Sequence, residues 1–133
     1  MAKNNSLFLI GSVKWIGYSK KDSAENSQYI ICNITVVRKK ESIDTGRIKS
    51  DQFMLICRDQ KMISQIKEFR ENDVLQVEGT IETMNIKKTV RCQYCNKQNV
   101  TSYPLVYINP THLAKLVHCN TSEAAMKMLL SMK

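Results

Sequence analysis

The stretch Arg58 to Thr83, RDQKMISQIKEFRENDVLQVEGTIET, changes its hydrophobic period halfway along. Met62, Ile63, Ile66 and Phe69 recur at three and four residues, the spacing that places side chains on one face of a helix. After the polar break Glu71-Asn72-Asp73, Leu75, Val77, Gly79 and Ile81 alternate with Gln76, Glu78 and Thr80, which is the pattern of a half-buried strand. A short helix set between the third and fourth strands closes the mouth of a small five-stranded barrel in the OB-fold. The pattern therefore predicts an all-β chain with three strands before this stretch and one after it.

Upstream, three runs fill that expectation. Leu7 to Tyr18, LFLIGSVKWIGY, is interrupted by Gly11 and Gly17, and glycine within a strand marks a bulge or bend of the kind a barrel's first strand needs. The following SKKDSAENS has loop composition. Tyr29 to Arg38 puts Ile30, Cys32, Ile34 and Val36 on one face and Tyr29, Asn33 and Thr35 on the other, so the first set is assigned to the core. RKKESIDTGRIKS is then expected to be a protruding basic hairpin loop. The third strand, about Asp51 to Arg58, sets Phe53, Leu55 and Cys57 against Gln52, Met54, Ile56 and Arg58. Cys32 and Cys57 fall on core faces, where a free thiol acts as a small hydrophobe.

Downstream, MNIKKTVRCQYCNKQNVTSYPLVYINP predicts a strand end, a Cys92-x-x-Cys95 knuckle at 88–100 within the hairpin, and a fifth strand around Val100 to Ile108 closed by Asn109-Pro110. The barrel is thus expected over residues 1–110 and a C-terminal segment over 111–133. That segment should hold a helix with Thr121 or Ser122 as N-cap and with Ala125, Met128, Leu129 and Met132 on one face.

A chain of 133 residues fits one domain with its own core. No apolar run is long enough for a membrane span or a signal peptide, so the expected location is cytoplasmic, with no membrane partner. Twenty Lys and Arg against 12 Asp and Glu leave a net charge of +8, which suits a polyanionic partner. An odd count of five cysteines in such a chain argues for reduced thiols or metal over a disulfide framework.

From Leu7 to about Met84 the sequence resembles the bacterial single-stranded DNA-binding protein family. The matching pieces are Leu9-Ile10-Gly11-Ser12, Asn33-Ile34-Thr35-Val36, Thr45-Gly46 with Lys49, and Phe69-Arg70-Glu71-Asn72-Asp73-Val74 leading to Val77-Glu78-Gly79-Thr80-Ile81. The resemblance implies an OB-fold, a homo-oligomer (dimer or tetramer), and a non-enzymatic protein that coats and protects single-stranded DNA in replication, repair, recombination or transfer. Three departures stand out. The family presents an aromatic for stacking at the place of Gln52 and another near Arg58. A basic amphipathic helix replaces the family's acidic tail, as would suit an accessory homologue from a phage, plasmid or conjugative element. The cysteine knuckle is the third departure.

Sequence-tolerant binding of single strands needs cations along the phosphates and flat side chains under the bases. Lys14, Trp15 and Tyr18 end the first strand, Tyr29 and Arg38 flank the second, and Arg58 ends the third. Lys39, Lys40, Arg47, Lys49, Lys87, Lys88 and Arg91 extend the basic surface. An OB-fold module for RNA, or an adaptor docking a replication or conjugation partner, shares these features.

Two thiolates two residues apart are half of a structural zinc site. Cys92, Cys95, His112 and His118 make C-x2-C…H-x5-H, with Cys119 able to replace a histidine, or two chains able to share one ion through four cysteines. Unligated thiols and a redox pair are the other readings, the latter lacking the βαβ context of thioredoxin-type motifs. No paired carboxylates, nucleophile with a histidine, or glycine-rich phosphate loop points to catalysis.

Overall fold

The structure is a computed structural model and describes residues 6–18 and 29–132; the expected loop SKKDSAENS and the side chain of Tyr18 lie outside the described residues. The elements are β1 (Ser6–Tyr18), β2 (Ile30–Val37), α1 (Lys39–Thr45), β3 (Ser50–Cys57), α2 (Gln60–Ile66), β4 (Asp73–Arg91), β5 (Gln98–His118) and α3 (Ser122–Ser131). The strands close a barrel in the order β1-β2-β3-β5-β4, with α2 between the third and fourth strands, which is the OB-fold. All pairs are antiparallel except β3 with β5, which meet at Leu55 and Ile108.

The core follows the alternation of the sequence. Ile30, Cys32, Ile34, Leu55, Leu75 and Val77 are fully buried, and Ile63, Ile66 and Phe69 cover them at one mouth. Asp59 caps α2 by accepting from the Met62 N–H at 3.3 Å, and Gln65 donates to the Leu113 carbonyl at 2.7 Å, so the lid is fixed to β5. Burial pushes the Cys32 and Cys57 thiols up to about 12, as suits inert packing groups. Beneath the turn that follows α2, the fully buried Asp73 carboxylate accepts from the Arg70 N–H at 2.8 Å and contacts His118 Nδ1 at 2.6 Å.

Three expectations need correction. The basic run after β2 is a helix, α1, not a hairpin loop. Gly46 ends it in the left-handed region at φ 72°, and Ser42 ties its two flanks together by donating to the Arg38 carbonyl and accepting from the Lys49 N–H. Thr45-Gly46, read as a turn, is thus a helix C-terminus. The fourth strand does not stop near Ile81 but runs to Arg91.

The fifth strand passes through Pro110 to His118, so residues 111–118 pair in the barrel wall. Proline is tolerated there because the ladder shifts register between Glu78 and Gly79, at the point where Gly79 faces Pro110. Closeness explains the glycine, since a Cβ on Gly79 would lie 2.5 Å from the Asn109 carbonyl oxygen.

The C-terminal helix matches its expected cap and face. Thr121 accepts from the Ala124 N–H at 3.0 Å, and Ala125 and Leu129 are buried against Val74 and Cys119, with Ile10, Val37, Val117, Met128 and Met132 around them. This second, smaller core lies on the outside of the barrel. Among the described residues no helix is long and apolar enough to cross a membrane.

Candidate nucleic-acid interface

In β1 the ladder with β2 shifts between Val13 and Trp15, inserting Lys14 as an extra residue. Val13, opposite Ile34, points into the core, and the bulge makes Trp15 face outward opposite Asn33. Trp15 remains 46% exposed. Its ring occupies the space over Gly17, where an added Cβ would meet it at 2.5 Å. The missing side chain at position 17 is what lets the indole lie along the strand.

The same outward face continues across the sheet, because Asn33 pairs with Met54 and Ile31 with Ile56. At its edge the Arg58 guanidinium stacks over the Tyr29 ring, 5.6 Å from the centroid, a cation–π pair that presents charge and a flat surface together. Position 58, near which the family resemblance expects an aromatic, thus sets a cation against the Tyr29 ring. Asn33 Oδ1, central on this face, is buried without a hydrogen-bond partner among the described residues.

Between β3 and β5 the barrel opens into a cleft of about 360 Å³, where Leu7, Phe53, Ile81, Val106 and Ile108 from the core-facing side of their strands adjoin Asn33 and Met54 of the outward face. Sequence reasoning placed Phe53 and Ile81 on the buried faces of their strands and left Val106 without a role. Their exposure depends on how briefly β3 and β5 touch, which has no local sequence signal.

From the barrel, β4 and β5 continue together as a two-stranded arm. Ile81, Thr83, Lys87 and Arg91 share one face with Ile108, Val106, Ser102 and Gln98 opposite them, so the Lys87 and Arg91 side of the arm is continuous with the cleft. Lys88 is on the reverse face with Met84 and Ile86. At the root of the arm Glu82 accepts from Asn109 at 2.9 Å, Thr80 at 3.0 Å and Tyr107 at 3.1 Å, and these donors hold its carboxyl below the usual carboxylate range.

The remaining basic candidates divide into two sets. Arg38 forms a double ion pair with Asp51 and a third contact to Glu41, which raises its already high pKa and lowers that of Asp51. Lys39 donates to the Met132 carbonyl at 3.1 Å. Lys40, Arg47 and Lys49 are exposed on or after α1. Tyr18 ends β1 opposite Ile30.

The four expected metal ligands are not brought together. Cys92 and Cys95 sit at the arm tip, whereas His112 faces Glu78 and His118 faces Asp73 at the barrel. At about 3.3 Å per residue, the span from Glu78 to Arg91 separates His112 from the thiols by roughly 40 Å, and His118 is farther still. Cys119 is buried beneath α3. Among the described residues no group of three or more His, Cys, Asp or Glu is placed to hold an ion.

The tip itself is a hydrogen-bonded turn. The Cys92 N–H donates to the Lys97 carbonyl at 2.9 Å, the Asn96 N–H donates to the Cys92 carbonyl at 3.0 Å, and Asn96 takes a left-handed φ of 58°. Backbone N–H groups of Cys95 and Tyr94 and the Cys95 thiol hydrogen-bond the Cys92 sulfur, holding its pKa below the ordinary thiol value.

No protein-family model and no curated protein matches the sequence. Solved structures do match. A single-stranded DNA-binding protein of Plasmodium falciparum in complex with ssDNA is similar with a TM-score of 0.57 at 14% identity, over 88% of this chain and 98% of that one. A mitochondrial single-stranded DNA-binding protein of S. cerevisiae gives 0.56 at 11%, over 89% and 100%. A small single-stranded DNA-binding protein of Mycoplasma pneumoniae gives 0.52 at 13%, over 85% and 94%. At such identities the likeness is one of fold.

Proposed function

We propose that the protein binds single-stranded DNA with little base preference, along the outer face of β1, β2 and β3 and onward over the Lys87 and Arg91 side of the arm. The observation that carries this reading is the juxtaposition, on the outward side of one sheet, of the half-exposed Trp15 and the Tyr29–Arg58 stack. Bases can stack on flat side chains whatever their identity, and neighbouring cations neutralise the backbone that connects them. The fold's likeness to single-stranded DNA-binding proteins supports the same reading.

Residues fall into roles by their surroundings. Trp15 and Tyr29 stack, Arg58 orients Tyr29 and adds charge, and Lys14, Lys40, Arg47, Lys49, Lys87 and Arg91 contact phosphates. Arg38 and Lys39 instead hold α1 against β3 and against the C-terminal end.

The test is fluorescence anisotropy with labelled oligo-dT spanning several sites of about 4–16 nucleotides each, with duplex and oligo-U of equal length as competitors. The expected result is binding that duplex fails to displace. With about six phosphates neutralised, the slope of log affinity against log salt is near −4.2. Equal displacement by duplex would show that the charge is only general attraction, and preferential displacement by oligo-U would reassign the ligand to RNA.

A further inference from the structure

The knuckle at the arm tip has no role in the interface just described. All five cysteines of the chain are free, with Cys32 and Cys57 buried in the barrel and Cys119 beneath α3, so the tip holds the accessible pair. Both histidines are at the barrel, roughly 40 Å or more away. Among the described residues a soft cation seated at the tip therefore finds two thiolates from this chain, and a second molecule can complete its ligand set.

The surroundings indicate which molecule. Beyond Lys87 the arm buries almost nothing: Val90 is 47% exposed, Val100 66% and Tyr94 94%. A two-stranded hairpin of this kind is marginal alone in water, and its apolar tip residues would be covered by another arm. A second copy supplies an identical thiol pair, and a tetrahedral ion with two equivalent ligand pairs lies naturally on a two-fold axis. Four thiolates on a divalent ion leave about two negative charges, and Lys87, Lys88, Arg91 and Lys97 from each arm surround that position in sequence.

We infer that the arm tip is half of a metal site, and that Cys92 and Cys95 from two copies of this chain together bind one thiophilic divalent cation of the zinc type in a four-thiolate centre. Formation of the four sulfur–metal bonds releases the remaining thiol protons to solvent. The metal then joins two barrels through their arms, independently of any nucleic acid.

The experiment titrates zinc into the full-length protein, without DNA and with a phosphine reductant, measuring bound metal and sedimentation mass together. Binding is expected to saturate at one zinc per two chains, the particle mass to double, and a chelator to reverse both. Cobalt in place of zinc gives the intense visible bands of a tetrahedral four-sulfur site. Cys92→Ser and Cys95→Ser each abolish metal uptake and the mass change while the barrel keeps its thermal midpoint; His112→Ala retains both. Saturation at one metal per chain, metal uptake with unchanged mass, absence of uptake, or its loss in His112→Ala would each overturn the inference. Oligo-dT affinity of the zinc-free protein, measured separately, reports on the interface alone.

Discussion

Strands β4 and β5 are each two different structures in one. From Asp73 to Val77, β4 carries side chains that are completely buried, apart from Gln76, and forms the barrel wall. From Lys87 to Arg91 the same strand, in the same ladder with β5, has every side chain exposed. The backbone hydrogen bonds are alike in both halves, so what differs is apolar burial. In the wall it contributes about 25 cal/mol for each Å² removed from water, and in the arm almost none. The wall is therefore constrained in composition, and the arm is free to carry cations and thiols. The Glu82 cluster at the root marks the boundary between them.

The contrast breaks most sharply by truncation. Leu75→Ala in the wall is expected to cost about 2–5 kcal/mol in denaturant unfolding, whereas Val100→Ala in the arm should stay within about 0.5 kcal/mol for the metal-free protein. A comparable loss at both positions would mean that the arm packs against something already. Next in size is Gly79→Ala at the register shift. The added methyl meets the Asn109 carbonyl and Pro110 backbone, so a loss of about 1–3 kcal/mol is expected from overpacking, read as a lowered denaturation midpoint.

Binding sharpens the comparison further. Trp15→Ala should weaken oligo-dT binding by about 1–3 kcal/mol while leaving the unfolding midpoint nearly unchanged, since the ring lies outside the core. In the arm, replacing Lys87 and Arg91 together by Ala should shrink the magnitude of the salt slope by about 1.4. Lys88→Ala, on the reverse face, should change it less.

The smallest effect concerns acid. Glu82 has a folded pKa below its ordinary value, so its contribution to stability is present above the usual carboxylate range and is lost as pH falls through the depressed value. Glu82→Gln should accordingly flatten the acid-side decline in thermal midpoint. An unchanged pH profile would separate the arm root from acid sensitivity.

Much of the barrel was legible because alternation and burial have the same period. Ile30, Cys32, Ile34, Leu55, Leu75 and Val77 each fall where a two-residue repeat puts them. The helix α2 and the cap and face of α3 were readable from three-and-four spacing and, for α3, from Thr121 as a cap. The arm was not, because the alternation of Met84, Ile86 and Val90 in MNIKKTVR is broken by Lys88 and set among basic residues, and pairing with a partner sustains strand structure through the break. Pro110 misled for a related reason: it ends strands except at a bulge, and the bulge is a property of the ladder. Helix α1 was missed because Thr45-Gly46 is equally good chemistry for a turn and for a helix end.

The site divides in the same way. The residue types at Trp15, Tyr29, Arg58 and the arm lysines were visible in the chain. Which of them share a face was decided by the one-residue bulge at Lys14 and by the β2–β3 register, because a slip of one residue reverses every side chain.

The sequence by itself determined the barrel, its lid, its charge and the presence of a thiol pair, since these depend on local period and composition. Only the tertiary structure decided that the thiols stand at the end of an arm far from both histidines, because strand pairing over long sequence separations fixes distances that spacing along the chain cannot.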